Sequence, residues 1–356
     1  MQSPAATPMK TAKPLAFGQA TRDAPPRVCV VAEIGVNHDG DADRAARLID
    51  AAAQAGADAV KFQYFHPDRL LSNQAELAGY QRGKAASQHA LLAKLALPIE
   101  ALASLGESAQ AVGLGFIVTP FSPADVRDLA GLNLSAVKTA SPDAVNTPLL
   151  EAVFALGLPV LVSTGTCTLG ELETAAQMLA EHPAGGVFLQ CVSSYPTPPG
   201  QAGLNGMAAL SQRYALPVGY SDHTPALHTG AVAAGAGAVV LEKHLTHDRD
   251  ARGPDHAASL DTDGLAQYVA NVRDAERMLG PVIKTVDPLE ADVRRVSRQS
   301  ICAVRTLAAG HVLTSGDVTV KRPGTGIAAS TLREVLGRPL ARPVAANDLL
   351  MPGDLG

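Results

Sequence analysis

The chain has 356 residues, of which 47% are hydrophobic, and a formal net charge of -5 at pH 7. This mild acidity gives no electrostatic reason to expect binding to nucleic acid or to a membrane surface, and aromatic residues are too scarce (4%, with no Trp) for base stacking. The length is typical of one large domain with a small one, or of two domains.

Residues 1–26 are rich in Pro, Ala and Thr and lack the continuous apolar segment of a signal peptide, which predicts a disordered tail. No apolar run approaches the roughly 20 residues of a membrane-spanning helix. The cysteines Cys29, Cys167, Cys191 and Cys302 are scattered without CxxC spacing, so we expect a reduced, cytoplasmic protein.

From residue 27 to about residue 284, short apolar runs alternate with longer Ala- and Leu-rich stretches. The runs predict strands at 28–35, 57–63, 115–120, 134–140, 159–163, 186–192, 217–221 and 238–244. Between them lie segments of helical periodicity, such as 42–56, 169–182 and 261–280. Eight strand-then-helix units over roughly 260 residues predict an α/β fold, a (β/α)8 TIM barrel. A doubly wound open sheet is the alternative, but no GxGxxG motif follows the first strand.

Polar residues follow nearly every predicted strand, and in a barrel they would ring the face where such enzymes keep their chemistry. In chain order they are Glu33, Asn37 and His38; Lys61 and Gln63; Thr119; Lys138 and Ser141; Ser163 and Thr164; Ser193, Ser194 and Tyr195; Ser221, Asp222 and His223; and Glu242, Lys243 and His244. Polar residues can also simply mark where a buried strand ends, but eight such ends together favour a functional site.

The residue types leave several chemistries open. Lys61 and Lys138 could bind an anion such as phosphate, could include a Schiff-base lysine, or could be ion-pair partners. His223 and His244 end consecutive strands and could share a divalent metal, or one could be an acid or base and the other a core residue. Asp255, in the loop RGPDH, is either solvated or part of the same face.

The last part of the chain changes character. Residues 285–296 read as a linker, and residues 297–356 contain short β-like pieces separated by Pro and Gly, which predicts a small β-rich domain. Because it is short for a self-sufficient core, we expect it to dock on the barrel or on a partner subunit.

The motifs AEIGVNHDG, GADAVKFQ, TPF, STGT, CVSSYPTPP, GYSDHT, EKHLT, GPDH and KRPGTGI occur in this order. Together they resemble the sialic acid synthase family, whose members make N-acetylneuraminic, legionaminic and pseudaminic acids. The resemblance covers roughly residues 28 to 353 and includes a C-terminal antifreeze-like (SAF) domain.

The resemblance implies a metal-dependent condensation of phosphoenolpyruvate with an N-acyl amino sugar, and a homodimer that swaps its small domains. It implies a divalent metal on His223 and His244, usually Mn²⁺, with Mg²⁺ or Co²⁺ as alternatives. The phosphoenolpyruvate contacts would be Lys61, Thr119, Lys138, Ser141, Ser163 and Ser221. The sugar contacts would be Glu33, Tyr195, Asp255 and Arg322, with Ser193 also at the substrate. Glu33 and Asp143 are the candidates for proton transfer and water placement.

The chain departs from the family pattern at Pro142, Thr166 and Ser193, where Gly, Met and Asn are common. These departures leave the reaction class intact and leave the acceptor open between N-acetylmannosamine and a di-N-acylated 6-deoxyhexose. A related phosphoenolpyruvate-condensing barrel that accepts a phosphorylated sugar, such as a keto-deoxy-octulosonate phosphate synthase or an enzyme of the shikimate route, is an alternative, but it would lack the SAF domain and the KRPGTGI motif. A non-enzymatic sugar- or ice-binding protein would have no need of the ring of lysines and histidines.

Overall fold

The computed structural model describes residues 27–75 and 87–356, so the predicted N-terminal tail lies outside the described residues. Eight parallel strands close into a barrel in chain order, because β1 pairs with both β2 and β8. The strands are β1 (Cys29–Gly35), β2 (Ala59–Tyr64), β3 (Gly115–Pro120), β4 (Ala136–Thr139), β5 (Val160–Ser163), β6 (Gly186–Gln190), β7 (Val218–Asp222) and β8 (Val240–His244). The predicted TIM barrel is confirmed, and the open sheet is excluded.

Helices follow the strands. Those of the barrel are α1 (Ala42–Gln54), α2 (Pro67–Leu70), α3 (Gln88–Leu95), α4 (Ile99–Ala111), α5 (Pro123–Leu129), α6 (Thr147–Phe154), α7 (Glu173–Glu181), α8 (Asn205–Tyr214), α9 (Thr229–Gly235) and α10 (Thr262–Leu279). Helix α10 shows why they form: Asp261 caps its first turn by accepting from the Gly264 N–H, and Leu265, Tyr268 and Val272 recur along one buried face. The main core lies between such faces and the outer side of the strands.

The barrel interior is apolar in its lower half, toward the amino ends of the strands, and polar at its upper end, where the strands reach their carboxyl ends. A separate buried cluster that includes Val31, Ala59, Ala136 and Leu161 fills the lower half. Side chains on a strand return to the same side every second residue. Therefore the next inward positions on these strands are Glu33, Lys61, Lys138 and Ser163, which brings the predicted site residues to the carboxyl ends of the strands.

A second compact unit spans Ile283–Gly356. It contains an antiparallel pair, β9 (Ser300–Ala303) and β10 (Val318–Lys321), and the short helices α11 (Ala291–Ser297) and α12 (Leu332–Val335). Ile301, Leu313 and Leu350 belong to its own buried cluster. Helix α11 lies mostly within residues 285–296, the predicted linker.

No single helix among the described residues is long and apolar enough to cross a membrane. Helices α3 and α4 reach that length and apolarity only as a pair, bent by 49°.

Candidate functional site

A cavity of about 280 Å³ opens at the carboxyl ends of the barrel strands. All the predicted site residues of the barrel except Asp143 line it. They are Glu33, Lys61, Thr119, Lys138, Ser141, Ser163, Ser193, Tyr195, Ser221, His223, His244 and Asp255. Seven of the eight strands and the segments that follow the strands thus bring residues that are distant in the sequence into one small space.

Glu33 faces the cavity through the alternation along β1, and a bulge follows it directly. The register with β2 slips between Glu33 and Gly35, and Gly35 has a φ of +52°. A Cβ atom added at Gly35 would lie 2.6 Å from Glu33 Oε1, so glycine leaves room for the carboxylate. Glu33 Oε2 lies 2.7 Å from Lys61 Nζ, and Gln63 Nε2 donates to Glu33 Oε1 at 3.0 Å.

Glu242 is a second buried carboxylate in the cavity, and sequence reasoning assigned it no role. The Ser221 hydroxyl donates to Glu242 Oε1 at 2.7 Å. The ammonium of Lys138 lies 3.6 Å from Oε1, and that of Lys61 lies 3.9 Å from Oε2. The signal that could have found it is its position two residues before His244 on β8, on the same side of the strand.

The two carboxylates differ in proton affinity. Burial raises the pKa of Glu33, where the attraction of Lys61 is opposed by repulsion from Glu242. Burial also acts on Glu242, but Lys138, Lys61 and the Ser221 hydroxyl outweigh it and lower the pKa of Glu242 to about 2. Glu242 is therefore a fixed negative charge, and Glu33 is the better proton carrier.

His223 and His244 lie side by side, with ring centroids 5.4 Å apart. The His223 Nδ1–H donates to the Val192 carbonyl at 2.8 Å. Its Nε2 lies 3.3 Å from Ser221 Oγ, but the Ser221 proton goes to Glu242, so the Nε2 lone pair stays available for a ligand. His244 Nδ1 is buried and makes no hydrogen bond within the described part of the chain; Asp255 Oδ2 lies 3.7 Å away. Burial lowers the pKa of both imidazoles. Two neutral imidazoles with available lone pairs fit a divalent metal with open coordination positions.

A different group could also hold a metal by distance alone. One nitrogen or oxygen atom from each of His66, Asp125 and Asp128 lies within 4.8 Å of the others. However, Arg69 Nη1 already lies 2.9 Å from Asp125 and 2.6 Å from Asp128. The guanidinium already occupies the carboxylates that a metal ion would need, so the histidine pair is the better candidate for a metal site.

The side of the cavity near Lys138 is built for an anion. The Ser163 hydroxyl is buried and has no hydrogen-bond partner among the described residues. A Cβ atom added at Gly165 would lie 2.4 Å from Ser193 Oγ and 2.9 Å from Ser141 Oγ, so glycine keeps a space between these hydroxyls. Hydroxyl donors beside an ammonium suit phosphate or carboxylate oxygens.

Two departures noted in the sequence lie in the segments that follow β4 and β5. Pro142 lines the cavity in the first turn of the 3-10 segment Ser141–Val145, where a backbone N–H has no partner within the helix. Thr166 has a φ of +66°, in the left-handed region that a β-branched residue rarely adopts.

Behind the cavity, a buried ion pair joins β7 to β8. Lys243 Nζ lies 3.3 Å from Asp222 Oδ2, donates to the Thr224 carbonyl and lies 5.5 Å from the centroid of the Tyr268 ring. Both charged side chains have zero exposure. Because they alternate with Ser221, His223, Glu242 and His244, they hold the two strands from the outer side while those residues face the cavity.

Replacing Lys243 with Met is expected to lower the free energy of unfolding by roughly 3–5 kcal/mol, because Asp222 would stay buried without its counter-ion. Denaturant unfolding measures this loss. The double variant Asp222→Asn, Lys243→Met should recover part of the stability, since it removes both charges; a single variant as stable as the wild type would contradict the role of the pair.

The structure places two predicted site residues outside the cavity lining. Asp143 lies in the turn before α6, where Asn146 Nδ2 donates to its Oδ1 at 3.0 Å. This position favours Glu33 for direct proton transfer. Arg322 is exposed in the second unit, on the loop after β10; this loop is tied to α11 by the hydrogen bond from the Gly324 N–H to the Arg295 carbonyl at 2.8 Å.

Comparison with known proteins gives two family matches. Residues 48–284 match the NeuB family, and residues 298–356 match the SAF domain.

Individual proteins resemble nearly the whole chain. An N,N'-diacetyllegionaminic acid synthase of Legionella pneumophila is 36% identical over 330 residues, covering 90% of this chain and 93% of that protein. An N-acetylneuraminate-9-phosphate synthase of Mus musculus is 33% identical and covers 82% of each chain. Among solved structures, a putative spore coat polysaccharide biosynthesis protein E from Chromobacterium violaceum matches with a TM-score of 0.81 and 25% identity, covering 93% of this chain and 100% of that one.

Proposed function

Because this chain belongs to the NeuB family, the family of sialic acid synthases, we propose that it condenses phosphoenolpyruvate with the open-chain aldehyde of an N-acyl amino sugar. The products are a nine-carbon 3-deoxy-2-keto acid and phosphate, so the enzyme is a transferase that forms a carbon–carbon bond. One observation carries the proposal: two lysines, several hydroxyls and two neutral histidines share one cavity.

The lysines and hydroxyls would bind phosphoenolpyruvate. Lys138, Ser141 and Ser163 suit its anionic groups, and Lys61 with Thr119 completes the cationic side, since Lys61 Nζ donates to Thr119 Oγ1 at 3.2 Å. Both lysines lie within ion-pair distance of the ionised Glu242 carboxylate, which supports anion binding over a Schiff base. Held in this way, the enol carbon C3 is directed toward the acceptor.

The acceptor aldehyde would lie beside His223 and His244, under the Tyr195 ring, whose centroid is 4.2 Å from that of His223. When bound, a divalent ion, which we propose to be Mn²⁺ with Mg²⁺ or Co²⁺ as alternatives, supplies a Lewis acid that polarises the aldehyde oxygen. Asp255 can accept hydrogen bonds from sugar hydroxyls.

Proton transfer would fall to Glu33. As C3 forms its bond to the aldehyde carbon, the aldehyde oxygen gains negative charge and takes a proton, which Glu33 can supply. Water then adds at C2 and gives one proton to the Glu33 carboxylate, which restores the acid. The C2–O bond to phosphate breaks, the proton of the new C2 hydroxyl leaves with the phosphate, and the ketone remains. The fixed carboxylate Glu242 balances the two lysines throughout.

The experiment that tests the proposed function is an assay of phosphate release. The enzyme is incubated with phosphoenolpyruvate, MnCl₂ and either N-acetylmannosamine or a di-N-acylated 6-deoxyhexose. Acceptor-dependent phosphate release, with a new nine-carbon keto acid in the mass spectrum, supports the proposal. Phosphate release that does not depend on any acceptor would refute it.

We also propose a homodimer that swaps its small domains, in the cytoplasm. Several apolar side chains of the segment before β9 are exposed, Leu289 by 90%, and contiguous exposed apolar surface is typical of an interface. The others are Val286, Val293 and Val296. The cysteines are all free thiols, as expected in a reducing compartment.

Arg322→Ala is expected to raise the acceptor KM by about 10- to 100-fold, because a charge-assisted hydrogen bond to the sugar is lost. The phosphoenolpyruvate KM should stay unchanged in the same steady-state assay, and Arg333→Ala, an exposed arginine of the same unit, serves as the control. An unchanged acceptor KM would contradict the role of Arg322.

Mixed protomers test the swap itself. If Arg322 serves the partner's barrel, mixing inactive His223→Ala protomers with Arg322→Ala protomers should restore turnover at acceptor concentrations well below the raised KM, where neither variant alone turns over well. One barrel in each mixed dimer then has both intact parts. No recovery after verified subunit exchange would contradict the swapped arrangement.

A further inference from the structure

One part of the cavity is apolar and takes no part in the chemistry proposed above. It is formed by the loops after β1 and β3 and by α3. The hydroxyl and histidine side chains that line the cavity lie elsewhere: except for Thr119 on β3, they come from β4 to β8 or from the loops that follow those strands. We call it the apolar wall; its residues are Val36, Leu91, Leu92, Leu95 and Phe121.

The wall is a packed surface. Leu91 and Leu95 are buried in a small cluster with Val36 and Phe65, and the Phe121 ring packs edge-on against Phe65 with centroids 5.7 Å apart. Leu92 and Phe121 are only half-buried and also line the cavity. These two side chains therefore present apolar surface to a ligand.

The cationic side chains of the cavity do not belong to the apolar wall. Among the described lining residues, the lysines and arginines are Lys61 and Lys138, and both pair with Glu242. A hydroxyl against the wall would lose hydrogen bonds to water, and a phosphate would be desolvated without a cation from the lining. A methyl group would gain from the same contact.

We infer that the acceptor is an N-acylated amino sugar of the 6-deoxy class, whose terminal methyl group packs on Leu92 and Phe121. This inference rests on the proposed function. The aldehyde carbon must meet phosphoenolpyruvate near the lysines and histidines, so the remaining carbons extend toward the mouth of the cavity. There Asp255 faces the sugar hydroxyls, and the wall receives the terminal carbon.

The test uses acceptors that differ only at C6: N-acetylmannosamine, its 6-deoxy analogue and its 6-phosphate. We expect kcat/KM for the 6-deoxy sugar to exceed that for N-acetylmannosamine by about 10-fold or more, within the range that one small group in an apolar pocket provides. We expect the 6-phosphate to be a worse substrate than either. Equal or better use of N-acetylmannosamine or of its 6-phosphate would overturn the inference.

Variants locate the contact. Leu92→Asn should reduce the preference for the 6-deoxy sugar at least several-fold through the acceptor KM, with the phosphoenolpyruvate KM unchanged. Ala93→Asn places the same amide on the exposed side of α3 and should leave the preference intact. If Leu92→Asn does not fold, Phe121→Tyr, which adds only a hydroxyl, should shift the preference in the same direction. A preference unaltered in a folded wall variant would overturn the assignment. A different result would refute the proposed function itself: no phosphate release with any of these three sugars and none with the di-N-acylated 6-deoxyhexose.

Discussion

Lys138→Met is expected to lower kcat/KM for phosphoenolpyruvate by about 10²–10³-fold, the usual effect of losing one preorganised charge partner in a closed site. The variant loses the ammonium beside the hydroxyls of Ser141 and Ser163. It also leaves Glu242 without its nearer counter-ion, 3.6 Å away, so the remaining carboxylate repels the incoming anion. Steady-state phosphate release at varied phosphoenolpyruvate measures the effect.

Two controls separate this effect from a general loss of folding. Lys94→Met removes an exposed lysine from α3 and should leave kcat/KM unchanged. The double variant Lys138→Met, Glu242→Gln removes both charges and should recover stability but not activity, because the substrate anion still lacks a partner. Wild-type kcat/KM in Lys138→Met would refute the anion-binding role. Borohydride trapping of a substrate on Lys138 or Lys61 would revive the Schiff-base alternative.

The barrel could be predicted closely from the sequence because its signals are local. Each strand is a short apolar run, and each predicted strand lies within about two residues of the observed one. The inward direction of Lys61 and Lys138 follows from the same alternation that buries Ala59 and Ala136. The predicted membership of the sialic acid synthase family is likewise confirmed.

What the sequence could not predict depends on contacts between distant segments. In the sequence, Glu242 is one of three polar residues at the end of a strand. Its role as the carboxylate that pairs with the two lysines follows only from its distances to Lys61, Lys138 and Ser221. The apolar wall is harder still to predict, because Leu92 lies in α3, Phe121 lies in the loop after β3, and each resembles an ordinary core residue. The sequence does not predict helix α11 within the linker, because its apolar residues are exposed and do not mark a buried face.

His223→Ala is expected to abolish metal-dependent turnover and to weaken Mn²⁺ binding by more than about 100-fold, because the loss of a ligand should exceed the 10- to 100-fold effect of altering its outer hydrogen-bond partner. Titration calorimetry on the metal-free protein measures binding without reference to activity. The barrel should still fold, since the Asp222–Lys243 pair holds β7 and β8 from the other side. Thermal unfolding followed by circular dichroism checks this.

The control distinguishes the histidine pair from other metal-binding groups. His89→Ala removes an imidazole whose side chain is exposed and pairs with Asp68 outside the cavity lining, so Mn²⁺ affinity and turnover should match the wild type.

His66→Ala tests the cluster with Asp125 and Asp128. We expect no loss of Mn²⁺ affinity, because Arg69 already neutralises those carboxylates. If His66→Ala lost the metal and His223→Ala kept it, the metal site would have to be moved to that cluster. Full activity of His223→Ala in the presence of a chelator would remove the metal from the proposed reaction, and Lys61, Lys138 and Glu33 would then carry it alone.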